Sequence, residues 1–364
     1  MRIHYIFIAL LGRTSWRLTS VRLYEYVIRR LILMIFVLFG VSIIVFYLAR
    51  GFPAAFDPVA PYVPPKMTAE QIAEVRRFHG FDQPLYLQYF FWLRNVLNGD
   101  WGLAGIYAQG QPVYKVFFNS FPYTVELAVT AVILTVTIGL PLGIISAVKN
   151  NKIPDHISRI IALTGYATPS YWFGFMLQLV FFYYFSLWGL PNLPSSGASG
   201  MARVVPRVTG MPVLDGLIGG NLAYTLDALS HLILPAFSLA FISLGFLARI
   251  VRASMLEVLR QDYIILARSK GLKERVVIYR HALKNALIPA VTLTGLFFAY
   301  LLGGALITEF VFTWPGVGQL SLQAVMQGDS NFLLLYTLIL AAIIVAANLV
   351  VDVAYVFLDP RIKY

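Results

Sequence analysis

Long apolar runs alternate with polar stretches along this chain, and a run of about 20 residues is what a helix needs to cross a bilayer. Six runs reach that length: residues 27–48, 123–148, 160–187, 231–250, 287–306 and 332–357. An earlier apolar patch, residues 5–11, is cut short by Gly12 and Arg13, and no small-residue cleavage site follows it. It reads as part of an extension, residues 1–26, lying on the membrane surface. Between the first two runs, Thr68 and Gln71 form a capping-box pattern that starts a helix ending near Gly80. Residues 85–98 give a second helix, with Tyr86, Tyr89, Phe90 and Trp92 near helical spacing. Residues 190–229 are rich in Pro, Gly and Ser and predict irregular backbone. The pattern therefore predicts an all-α polytopic membrane protein with six transmembrane helices. Its parts are an extension (1–26), a first span (27–49), an extracytoplasmic region (50–121) and a core with five spans (122–364).

Composition sharpens this reading. The 364 residues are 59% hydrophobic and 12% charged, with a mean hydropathy of +0.74, which excludes a soluble globular protein. A net charge of +11 raises nucleic acid as a partner, but its distribution argues instead for the lipid bilayer. Twenty of the 28 Lys and Arg residues fall on one predicted side: before and at the first span, at 149–159, at 249–284 and at the end. By the positive-inside rule this puts both termini in the cytoplasm, and it fits a cell-membrane protein.

Candidate chemistry is sparse. Cysteine is absent, the five histidines are scattered without metal-ligand spacing, and Gly-Lys does not occur, so no phosphate-binding loop of the Walker type exists. The chain predicts no enzyme active site and no cofactor or metal of its own. Glycines 139 and 143 around Pro141 allow close helix packing, with a hinge as the alternative. Glu126, Thr168, Gln178 and Glu309 are candidates for a polar translocation path. For the two acids, and for Asp352, a cap or pair at a helix end is the competing reading.

One polar stretch with helix punctuation is lodged among the apolar runs, at residues 262–289. Asp262 is placed to cap a helix over residues 263–270, about 12 Å long, and Gly271 to end it in the left-handed conformation. A second helix over residues 273–285 mixes Arg275, Arg280 and Lys284 with Val276, Val277, Tyr279 and Leu283. Two short helices joined by a glycine make a knob.

The residue order of that knob resembles the EAA loop by which permease subunits of ABC importers grip their ATPase subunits. Against the general pattern only Ala267, Gly271 and Leu283 agree; the triplet here is Ile265-Leu266-Ala267 and the later element is His281-Ala282-Leu283-Lys284. The match to the dipeptide and oligopeptide branch is much longer. It covers Asp262-Tyr263, Ala267-Arg268-Ser269-Lys270-Gly271-Leu272 and Arg280 through Pro289. The turn Glu309-x-x-Phe312-x-Trp314-Pro315-Gly316-x-Gly318 and the ending Leu358 to Tyr364 also resemble that branch. So does the outer region from Thr68 to Gly102, and the resemblance runs from about Tyr26 to the C-terminus.

The resemblance implies the type I ABC importer permease fold, with a coupling loop at 253–286. It implies a homologous second permease subunit, two ABC ATPase subunits that bind ATP and magnesium, and an extracytoplasmic solute-binding protein. The implied ATPase-coupling residues are Asp262, Tyr263, Ala267, Arg268, Lys270, Gly271, Leu272, His281 and Leu283. Ala267, Gly271 and Leu272 would make the tight contact, and Arg268 and Lys270 would supply charge pairs. Aromatics of the outer region pack a small cap or help dock the binding protein. Peptides are the first expectation for cargo, with oligosaccharides or nickel as alternatives within the family. Of other classes, an ion-coupled secondary transporter predicts charged, interrupted helices in two matched halves, which this chain lacks. A lipid-binding structural protein explains the basic knob but not its glycine, alanine and leucine order.

Overall fold

The computed structural model describes residues 23–52, 56–63, 66–105, 110–303 and 305–358, of which 23–26 and 351–358 are described by backbone alone. Residues 1–22 of the extension, the carboxylate of Asp352 and the chain's last six residues lie outside the described part. Helices dominate, and the one β ladder among the described residues is a short antiparallel pair, Leu103–Ala104 with Gln111–Pro112.

Helix α1 (Leu23–Arg50) carries the first apolar run. Thr68 caps α2 (Ala69–Phe78) through the reciprocal capping box that the sequence predicts, and α3 (Leu85–Leu97) follows. Helix α4 (Val113–Val148) begins ten residues before the predicted span, because the outer-region chain feeds directly into it from the β ladder. The third run is not one helix. It starts early, as α5 (Ile153–Ala167), and breaks at Thr168, whose backbone is extended. Pro169 explains the break, since it lacks an N–H and disfavours helical geometry in the residue before it. The chain resumes as α6 (170–187), which contains a π-helical turn over Leu179–Tyr184.

A short helix α7 (Pro212–Ile218) organises the loop that composition alone marked as irregular. Asn221 then caps α8 (Leu222–Val258), whose 37 residues extend about 55 Å and begin well before the predicted start at 231. The knob follows as α9 (Asp262–Ser269) and α10 (Glu274–Ala286), the latter with a π-helical turn at Val277–Ala282. Helix α11 (Ile288–Leu302) leaves α10 at 52°, with Pro289 in its first turn to prevent a straight continuation. Helices α12 (Leu306–Val311) and α13 (Val317–Gln327) lead to α14 (Ser330–Leu358). Among the described residues four helices, α1, α4, α8 and α14, are long and apolar enough to cross a membrane, and the count reaches five if the bent α10–α11 pair is taken as one span.

Helix α8 is the spine: α4, α5, α6, α7 and α11 all pack against it, while α1 packs on α14. The α4–α8 contact is close because Gly143 lets the backbones approach; a Cβ there would lie 2.7 Å from the Ala248 carbonyl oxygen and from the Val251 Cβ. Gly139 meets Leu244 in the same way, so the glycines around Pro141 serve packing.

Candidate coupling site

The knob is held from inside. Ile264 and Ala267 of α9 and Val277, Ile278 and Ala282 of α10 are buried together with Val251 and Met255 of α8 and Ile144 and Ala147 of α4. Leu283 packs against the same cluster. One apolar core therefore fuses the knob to the two longest helices. Tyr263 adds a polar tie, since its hydroxyl accepts a hydrogen bond from Asn285 at 2.8 Å.

The turn between the helices follows from Gly271, whose φ of +75° is the left-handed conformation that glycine adopts without a Cβ penalty. The Gly271 N–H donates to the Arg268 carbonyl at 2.9 Å and the Leu272 N–H to the Ala267 carbonyl at 3.4 Å. These two bonds make the Schellman ending that satisfies carbonyls left over by the helix. At the other end the expected cap is displaced by one residue. Gln261 is the N-cap, with no side-chain bond, and Asp262 is the first helical residue, where its charge complements the helix dipole.

The predicted coupling residues divide between two faces. Tyr263, Arg268, Lys270, Gly271 and Leu272 are exposed, while Ala267 is buried and His281 and Leu283 are half-buried. Ala267 thus sets the spacing inside the knob; the apolar and aromatic groups at the surface are Tyr263, Ile265, Leu266, Leu272, Val276 and Tyr279. Ile265 and Leu266, which the comparison with the alanine of the triplet does not single out, belong to that surface. Their signal was helical phase: with Ile264 and Ala267 inward, residues 265 and 266 must face out. Arg268 is already engaged, its Nε and Nη2 donating to both carboxylate oxygens of Glu274 at 3.1 and 2.6 Å. That bond holds the Glu274 carboxyl below its usual range.

Beside the knob lies a second cluster that pattern reading does not reveal. Asp155, fully buried at the start of α5, accepts from Arg252 Nε at 2.8 Å and Nη2 at 3.0 Å, from Ser146 Oγ at 2.5 Å and from the Asn151 N–H at 2.9 Å. Arg252 also donates to Asn150 Oδ1 at 2.9 Å. The Arg252 bond, with those from Ser146 and Asn151, holds the Asp155 carboxyl far below its ordinary range despite burial. In the sequence Arg252 is one of the positive-inside charges. It clasps α4, α5 and α8 together.

The four candidate path residues each have their own hydrogen-bond partners. Glu309 is buried, accepting from Thr124 Oγ1 at 2.9 Å and from the Gln319 N–H at 3.0 Å, with Gly316 and Gly318 packed on its carboxylate. Thr124 in turn accepts from the Val317 N–H, and the Trp314 indole donates to the Tyr123 carbonyl. This turn is stapled to α4. Glu126 accepts from the Val213 N–H at 2.9 Å through one oxygen, and its other oxygen finds no partner among the described residues. Gln178 donates to the carbonyls of Ser195 and Val311, and the Thr168 hydroxyl bonds back to the Thr164 carbonyl. Each acid thus accepts an N–H from the first turn of another helix, Glu126 from α7 and Glu309 from α13.

Two family descriptions match the chain. Residues 139–364 match the binding-protein-dependent transport system inner membrane component, and residues 23–128 its N-terminal membrane component. Among curated relatives, a dipeptide transport system permease protein of Alkalihalophilus pseudofirmus is 37% identical over 339 residues, covering 93% of this chain and 99% of that protein. A probable D,D-dipeptide transport system permease protein of Escherichia coli is 38% identical over 330 residues, covering 90% and 94%. An oligopeptide transport system permease protein of Bacillus subtilis is 34% identical over 340 residues, covering 93% and 99%. The two-helix knob bolted to the longest helices, the stapled Glu309–Gly318 turn and these matches across nearly the whole chain agree, and the chain belongs to the family of inner membrane components of binding-protein-dependent transport systems.

Proposed function

We propose that this chain is one of two permease subunits of an ABC importer for di- and oligopeptides, in the plasma membrane with both termini cytoplasmic. The relatives named as peptide permeases support the cargo, since they match along almost their full length. In this reading the fold has six spans. The broken α5–α6 rod supplies the third, crossing over residues 160–187, and α11, within the run 287–306, supplies the fifth, with α10 left in the cytoplasmic knob.

The observation that carries the coupling role is the knob's division of labour. Its outer face shows Ile265, Leu266, Leu272 and Tyr279 to a partner, and its inner face is continuous with α4 and α8. An exposed apolar face on a rigid polar segment marks a docking surface. Two partner ATPases hold ATP and magnesium, and their closure pushes the knobs. Force applied at α9 passes through Ile264 and Ala267 to Val251 and Met255, and so tilts the long helices as levers. A binding protein delivers peptide at the opposite end.

The test is co-purification of the ATPase subunits with the native chain, Gly271→Trp and Gly271→Asn, together with dipeptide uptake into proteoliposomes. Asn tolerates the left-handed region, so it separates backbone strain from bulk. Trp is expected to lose the ATPases while the second permease remains, and Asn to keep most of them. Equal recovery with all three chains would remove the knob from the coupling role, and absence of peptide uptake by the native complex would remove peptides as cargo.

A further inference from the structure

The end of the bundle opposite the knob contains a cavity of about 280 Å³ whose chemistry differs from the rest of the protein. Its floor is Arg50, the last residue of α1, only 6% exposed. Around it stand Tyr62, His79, Phe81, Trp92 and Trp101, with Asp100 also in the lining. A buried guanidinium ordinarily spends its donors on carboxylates or carbonyls. Here only Nη2 is engaged, donating to Asn331 Oδ1 at 3.0 Å, while Nε and Nη1 have no hydrogen-bond partner among the described residues.

The nearby acids do not fill this gap. Asp57 is bonded to Arg76 at 2.7 Å and to the Val59 N–H, and Asp329 accepts from the N–H groups of Gly105 and Phe332. They offset the charge of Arg50 at a distance without taking its protons. Phe81 and Phe46 lie 5.0 and 5.9 Å from the guanidinium carbon, which places the cation against aromatic faces. A charged donor, free N–H groups and aromatic walls together describe a receptor for an anion with an apolar substituent.

We propose that this cavity is a carboxylate-binding site on the outer side of the permease, and that it takes the C-terminal carboxylate of a short peptide. The choice of a peptide rests on the transport reading above, whereas the carboxylate is required by Arg50 itself. Small-molecule pockets run from about 300 Å³ upward, so this one holds a carboxylate with a single side chain rather than a long peptide. Both free nitrogens are shielded in the present arrangement. Rotation of the guanidinium about its stem turns them to the cavity and exchanges one bond, to Asn331, for a charge-assisted bond to the ligand. Asp100 opposes the ligand and tunes its affinity.

The experiment uses the full chain with its permease partner in lipid nanodiscs, and measures binding of radiolabelled N-acetylphenylalanine, its amide and the dipeptide Ala-Phe. The acid and the dipeptide are expected to bind about tenfold or more tighter than the amide, the difference made by a hydrogen bond to a charged group. Arg50→Gln should abolish that preference, and Asp100→Asn should tighten acid binding a few-fold. Equal binding of acid and amide by the native protein would overturn the proposal without any variant. So would an Arg50→Gln protein of native melting temperature that keeps the acid preference, which would leave Arg50 as a packing residue. Acid binding that persists where dipeptide uptake fails overturns the cargo and keeps the site; sound uptake without acid preference does the reverse.

Discussion

The two ends of the bundle treat buried acids differently. At the knob end Asp155 is answered by an arginine from another helix, joining α5 to α8 and, through Ser146, to α4. At the far end Glu309, Asp329 and Asp215 accept backbone N–H bonds from turns close to them in sequence, to which Glu309 adds the Thr124 hydroxyl of α4 and Asp329 the Gly105 N–H. Asp215 adds Arg203, itself only twelve residues away. An inter-helix ion pair ties separate rods into one body. A carboxylate capped by neighbouring N–H groups fixes the shape of a loop. The knob end is thus tied by an ion pair between helices, and the far end mainly by hydrogen bonds to turns.

The strongest way to break this contrast is at Asp155. Asp155→Ala leaves Arg252 without its carboxylate partner and opens the joint between three helices, a loss on the order of 3–5 kcal/mol for a broken buried pair. Thermal unfolding in detergent should show a large fall in melting temperature, and ATPase activity should lose its dependence on the binding protein. A native melting temperature would mean that the apolar α4–α8 seam alone holds the end together. Because the carboxyl is held below its ordinary value, its contribution is complete above about pH 4 and is lost only on acidification through the folded pKa. Activity changes between about pH 5 and pH 8 must then originate elsewhere.

Glu309→Ala is the next test and addresses the far end. It strands the Gln319 N–H and the Thr124 hydroxyl, at about 1–3 kcal/mol for each unsatisfied group, while Glu309→Gln retains an acceptor oxygen and should lose less. The expected signature is local: proteolytic sensitivity at the 309–318 turn with ATPase coupling intact. If coupling fails with the turn still folded, the far end takes part in transmission and the contrast falls.

The legible part of the fold was whatever periodicity and capping chemistry control locally. The Thr68–Gln71 box, the Gly271 turn and the existence of the long apolar helices are of this kind, since each depends on residues within a few positions of one another. Residues that act across the bundle were not legible. Nothing near Asp155 in sequence announces Arg252, and nothing near Glu309 announces Thr124. The breaks were readable in principle, because Pro169 and Pro289 stand in plain view; hydropathy smoothed over the first. In the knob, residue order gave the turn correctly but not the facing of Ala267, which helical phase decides.

The smallest expected effect sharpens the comparison at the knob itself. Arg268 and Glu274 form a well-aligned pair across the Gly271 turn, but both are largely exposed, with side chains 41% and 55% accessible. Solvent screening limits such a pair to at most about 1 kcal/mol. Arg268→Gln and Glu274→Gln should each change the melting temperature little, and the small loss should match in the two variants. The Glu274 carboxyl is held down by Arg268, so this contribution is present at neutral pH and disappears only on acidification. The informative quantity is ATPase recovery. A pair that serves the knob internally predicts equal recovery from both variants, because each removes the same tie. If Arg268→Gln loses the ATPases while Glu274→Gln keeps them, Arg268 exchanges Glu274 for an acid on the partner, and this charge belongs to the docking surface. The knob would then carry at its surface the same arginine-to-acid exchange between separate bodies that Asp155 and Arg252 make permanent inside.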